Sequence, residues 1–254
     1  WALDSSQIVV NRDDDGAHSL AVGEVSRLNF AGIAGAATPI AWSSRFERDT
    51  GRLGVTLSFD NLPLGDLVAQ FTGVDFLGGS DAPVTGRMTG ALLLDPATGA
   101  RFTNQEDGIS FSFDLGAGQI LGGGGLFAAP FDIYEGQLAG AISPDFKTIS
   151  VSRILLSRAP FVIEGSAAAI SRSTDEVGSL ANPAEWEVNA ALALDGLTVT
   201  QLKQLWPDRE NDGARNWVVA NMDEGLVSNG QFRLAIPAGF FGSGERLPKD
   251  AIDL

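Results

Sequence analysis

Leu53, Val55, Leu57 and Phe59 alternate strictly with Gly54, Thr56, Ser58 and Asp60, a period of two that suits an extended strand with one apolar and one wetted face. The same alternation recurs at Ile109, Phe111, Phe113 and Leu115, and again at Trp186, Val188, Ala190, Leu192 and Leu194. Weaker versions run over Ile40 to Arg48, Val84 to Leu94, Tyr134 to Ile142, Ile149 to Leu156, Phe161 to Ile170 and Gly230 to Ile236. Turn signals divide them, among them Asp49-Thr50-Gly51, Asp95 to Gly99 and Ser143-Pro144-Asp145. Strands wetted on one side belong to antiparallel sheets, because parallel sheets are covered by helices on both faces. The expected fold is all-β, mainly antiparallel, with two or three short helices.

Helical spacing appears at Pro63 to Phe71, with Pro63 in a tolerated first-turn position, and at Val199 to Trp206, stopped by Pro207. A third helix is expected from Asp212, its cap, to Asn221, with Ala214, Trp217, Val218 and Met222 on one stripe. Trp186, Trp206 and Trp217 all lie on apolar stripes, which predicts that all three are buried. Ser171 to Pro183 follows neither period and reads as a loop.

The segments 55 to 67 and 190 to 202 align at an offset of 135 residues, with Asp60 over Asp195, Leu62 over Leu197 and Leu67 over Leu202. Each is an alternating strand that passes through Asp-x-Leu into a short helix, and each is followed by a glycine-led strand, Gly90 to Leu94 or Gly230 to Leu234. The expected organisation is one curved unit over 1–254 with two related sub-repeats, about 53–94 and 188–236.

Composition removes whole classes of function. The 254 residues, 44% of them apolar, are enough to bury a core, and a formal charge of -15 repels nucleic acid and anionic membrane surfaces. The chain has no cysteine and one histidine, His18, so thiolate chemistry, iron–sulfur clusters and multi-histidine metal sites are out of reach. His18 follows a turn and lacks an evident nucleophile or orienting carboxylate, and the expectation is an exposed residue without a catalytic role. Asn11 to Gly16 matches half of a calcium loop, but the twelfth position is Val22 instead of a bidentate glutamate. Gly116-Ala117-Gly118 and Gly122 to Gly125 precede neither a lysine nor a helix, which points to a bent strand and not a phosphate cradle. The expectation is therefore no catalytic residue, no metal and no cofactor. The apolar windows Phe30 to Trp42 and Ile120 to Phe131 are too short to cross a bilayer. The opening at Trp1 and the alternation that breaks off at Asp250 to Leu254 suggest a piece of a longer chain with a sheet edge at each end.

Leu197-Thr198-Val199, Leu205-Trp206-Pro207, Gly213 to Val218 and Glu224 to Val227 together resemble the YhdP-type branch of the AsmA-like family, in which a Trp-Pro pair precedes an Ala-Arg-x-Trp helix and a Gly-x-Val strand. Leu62 to Leu67 and Ala82-Pro83-Val84-Thr85-Gly86 are similar to the family's leucine-rich short helix and Ala-Pro-Val-x-Gly element. The resemblance covers roughly 53–236 and implies a gutter-like β-sheet in the periplasm. It further implies an inner-membrane anchor outside this chain and partners that are phospholipid acyl chains and the rest of the same longer chain.

Strand alternation leaves two arrangements open, a closed apolar core and a groove for acyl chains. Leu57, Phe59, Phe111, Phe113, Leu192 and Leu194 are the candidate groove residues. The alternative is a structural or adhesive β-scaffold packed on itself or on a partner chain. A more distant third reading is a hydrolase of acyl chains using His18.

Overall fold

A computed structural model of the protein describes residues 2–12, 18–29, 40–72, 77, 79–95, 99–101, 108–121, 129–174, 182–206, 213–241, 248 and 251–253. Over these residues the fold is mostly antiparallel β with three short helices, around one large sheet that is not closed into a barrel. The first half contains β1 (Ala2–Arg12), β2 (His18–Asn29), β3 (Ile40–Glu47), β4 (Arg52–Pro63), α1 (Leu64–Thr72), β5 (Pro83–Asp95), β6 (Gly99–Arg101) and β7 (Ile109–Leu115). A small hairpin, β8 (Gly118–Ile120) and β9 (Phe131–Ile133), leads to β10 (Glu135–Ile142), β11 (Thr148–Arg158), β12 (Phe161–Ser171) and β13 (Trp186–Asp195). Then come β14 (Leu197–Thr198), α2 (Val199–Leu205), α3 (Gly213–Asn221), β15 (Leu226–Val227), β16 (Gly230–Ile236) and β17 (Ile252–Asp253).

The main sheet runs β1-β2-β3-β4-β5-β7-β10-β11-β12-β13-β16-β17, with β6 paired to β5. Strands therefore pair in the order in which they are made, a meander whose longer connections carry α1 between β4 and β5, β8–β9 between β7 and β10, and β14, α2, α3 and β15 between β13 and β16. Three register irregularities, at Phe59/Leu62, Ala139/Gly140 and Val151/Ile154, interrupt the ladders. A Cβ at Gly86, Gly140 or Gly165 would collide with the carbonyl oxygen of Ser112, Ser150 or Ala191 on the next strand. Bulges and glycines that admit such close approach are the devices by which a twisted sheet bends.

Asn61 and Gly196, which the offset of 135 residues brings together, both have positive φ, 54° and 71°. The chain turns there in the same way, burying Leu62 and Leu197 and starting α1 and β14–α2. The first amide of α1, on Leu64, donates to the carbonyl of Ala82, and the first amide of α2, on Val199, donates to that of Gly225. Thr198 caps α2 in a capping box, its hydroxyl accepting from the Gln201 amide while the Gln201 side chain accepts from the Thr198 amide.

Three expectations change. Pro63 closes β4 instead of opening α1, which begins at Leu64. Ser171 ends β12, and Pro183–Glu185 forms a 3-10 turn, so the irregular stretch is shorter than 171–183. Trp186 and Trp206 are buried as expected, but Trp217 is 60% exposed and α3 buries none of its residues. Helical spacing puts Ala214, Trp217 and Val218 near one face, yet no described element lies against it closely enough to bury them. The cap at Asp212, residues 13–16 of the turn that begins at Asn11, and the glycines at 122–125 lie outside the described residues, as does the side chain of His18.

Candidate functional site

The registers of β4 to β16 place the alternating apolar residues in rows across the sheet. One row is Phe59, Gly86, Phe113, Leu138, Ile154, Gly165, Leu192 and Phe232. The next is Leu57, Met88, Phe111, Gly140, Val151, Ala167, Ala190 and Leu234. Neither row holds a polar side chain. Their nearest neighbours along the strands, such as Ser58, Arg87, Ser112 and Asp114, project to the opposite face.

A layer covers one end of this apolar face. There α1 packs Leu64 and Leu67 beside Phe59 and Leu62, β8–β9 adds Ile120, Phe131 and Ile133, and Leu197 of β14 and Leu205 of α2 pack near Leu194. Hydrogen bonds join the layer: the Asp81 amide donates to the Gln119 carbonyl, the Ser80 hydroxyl to the Leu121 carbonyl and the Ala129 amide to the Gln204 carbonyl. Arg158 ties the end of β11 to β9 through Asp132 at 2.8 Å and lies 5.6 Å from the Tyr134 ring centre. Under the layer, Val84, Leu115, Ile163 and Leu194 are buried. At the far end Phe146 and Phe240 pack back over Ile142, Ile149 and Ile236.

Between these ends the face is half-buried, except at Met88 of the second row, which is buried. Leu57, Phe111, Phe113, Leu138, Val151, Ile154, Ala167, Leu192 and Leu234 all have intermediate exposure. They form an apolar strip running across the strands; Leu57, Phe111, Phe113 and Leu138 pack against the buried cluster that includes Leu64, Ile120 and Ile133, and Leu192 against the one that includes Leu194 and Leu197. The six candidate residues share this face, but in two groups. Leu57, Phe111 and Phe113 lie in the strip beside Phe59, which is buried against α1; Leu192 lies in the strip beside Leu194, which is buried against α2 and β14. Phe111 and Phe113 stack with ring centres 5.1 Å apart.

Alternation on single strands does not reveal the middle of the strip. Leu138, Ile154 and Ala167 are separated in sequence by turns and bulges, and pairing alone aligns them. Trp42 is a further missed member, paired with Leu57 and packed on the same cluster.

Ionisable groups with displaced pKa values sit away from the strip. Ser143 and the Lys147 amide hold the Asp145 carboxyl below its usual range, and Arg172 does the same for Glu187 on the wetted face. A depression of about 430 Å³ is lined by Ser166, Asn189, Arg233 and Asp253 of the wetted face and also by Ala167, Ala190 and Leu234 of the second row. Among the described residues there is no cluster of three or more metal-ligating side chains, and no helix is long and apolar enough to cross a membrane. No family model, curated protein or solved structure matches this chain.

Proposed function

We propose that this chain is a periplasmic β-groove segment of an AsmA-like protein, shielding phospholipid acyl chains between the inner and outer membranes. The observation that carries the reading is the strip itself: two registered rows, without a polar side chain, across β4 to β16, buried at Phe59 and Met88 and half-buried at Leu57, Phe111, Phe113, Leu138, Val151, Ile154, Ala167, Leu192 and Leu234. Contiguous apolar surface that stays partly open to solvent is the kind that marks an interaction site. The proposal takes its periplasmic setting and its inner-membrane anchor, outside this chain, from the sequence resemblance. It assigns the chain no catalytic step and no cofactor.

The competing scaffold reading draws on Phe59 and Leu194, which are buried as core residues are. Extraction of the purified chain with organic solvent, followed by mass spectrometry, separates the two. Co-purifying phospholipid supports the groove, whereas lipid-free protein whose strip is covered by a second protein chain supports the scaffold.

A further inference from the structure

Two features of the strip bear on which lipids it takes, if the lipid reading above holds. First, every position in its two rows is Gly, Ala, Val, Leu, Ile, Met or Phe. A headgroup laid on these rows surrenders water and meets no hydrogen-bonding side chain, a loss of about thirtyfold or more in affinity. Headgroups therefore stay off the strip and in solvent.

Second, the gaps beside the glycines are already filled from within the sheet. A Cβ at Gly86 would lie 2.9 Å from Phe113 Cδ1, one at Gly140 2.6 Å from Phe111 Cζ, and one at Gly165 2.8 Å from Leu192 Cδ2. Each large side chain leans over the glycine on the adjacent strand, the arrangement by which an aromatic or leucine covers an exposed strand glycine. At these three positions the surface offers no notch into which a ligand of defined shape would lock.

We infer that the strip selects ligands by the length of their apolar chain and not by headgroup, the bound chain lying in no fixed register. Binding then grows with the area covered, and headgroup charge enters only at a distance, where salt screens it.

The test is displacement of a pyrene-labelled fatty acid from the whole chain at physiological salt. The competitors are lauroyl, myristoyl, palmitoyl and stearoyl forms of lysophosphatidylcholine, lysophosphatidylglycerol and monoacylglycerol, each below its micelle concentration. The expected result is affinity that rises by up to about fourfold per added methylene, with the three headgroups agreeing within about threefold at equal chain length. A preference above about tenfold for one headgroup, or a fall in affinity beyond one chain length, overturns selection by chain length and leaves the lipid reading standing. Failure of the labelled fatty acid and of every competitor to bind overturns both.

Discussion

Phe59 of β4 and Phe113 of β7 are not on neighbouring strands, yet their rings meet with centres 5.4 Å apart across Gly86 of β5. The glycine makes this possible, since a Cβ there would collide with the Ser112 carbonyl and crowd the Phe113 ring. Gly86→Ala should therefore cost about 3 kcal/mol or more, as backbone-level overpacking does. Gly54→Ala is the control, because a Cβ at Gly54 meets nothing closer than the Arg45 carbonyl oxygen at 3.8 Å. That change should be neutral or stabilising by about 0.5 kcal/mol. Urea unfolding of both variants checks the pair.

Trp206 and Trp217 should behave in opposite ways despite lying eleven residues apart in sequence. Trp206 is 7% exposed at the end of α2, and Trp206→Ala should cost about 3 to 5 kcal/mol. Trp217 is 60% exposed, and Trp217→Ala should cost less than about 1 kcal/mol. Thermal unfolding of the two variants decides whether α3 is as superficial as its exposure indicates.

The difference shows what the amino-acid pattern conveys. Period-two alternation locates β3, β4, β5, β7, β10, β11, β12, β13 and β16 because each carries large apolar residues on one side, and Asp-x-Leu with helical spacing locates α1 and α2. β1 and β2 display no such period because their apolar residues shift phase, as at Val9 and Val10 or Val22 and Val25. β8 and β9 are three residues each, too short to display one. Spacing also says which side chains of α3 share a face, but not whether anything lies opposite. The candidate site is legible in the same partial way: Leu57, Phe111, Phe113 and Leu192 are visible one strand at a time, while the continuity of the strip through Leu138, Ile154 and Ala167 depends on register and bulges.

Removing the Thr198 hydroxyl should loosen the layer over Leu194, because it caps α2 by accepting from the Gln201 amide at 3.2 Å. Thr198→Ala should cost about 1 kcal/mol, while Thr198→Ser should retain most of the stability. Amide exchange across α2 reports the loss locally, and should quicken in the alanine variant alone.

Asp145 supplies a pH signature at the β10–β11 turn. Its carboxylate accepts from the Ser143 hydroxyl at 2.5 Å and from the Lys147 amide at 3.0 Å, which lowers its pKa in the folded state. A lowered folded pKa contributes stability that is present above the unfolded value, about 3.9, and is lost as pH falls through the folded value. Asp145→Asn should therefore be less stable than the parent at neutral pH, with the gap closing below about pH 4. Denaturant midpoints measured from neutral to acid pH follow that convergence.

Whether the strip is open to acyl chains, the centre of the proposed function, is tested most directly by benzophenone placed at Phe111 or at Leu192 in cells. Both positions are half-buried in the strip, and phospholipid adducts are predicted at each. A Phe113→Asp chain should stay folded, since Phe113 is only half-buried, while losing those adducts because a charge stands in the lipid's path. No lipid adduct at either position in the parent chain, together with global unfolding of Phe113→Asp, would contradict the groove and leave the closed scaffold.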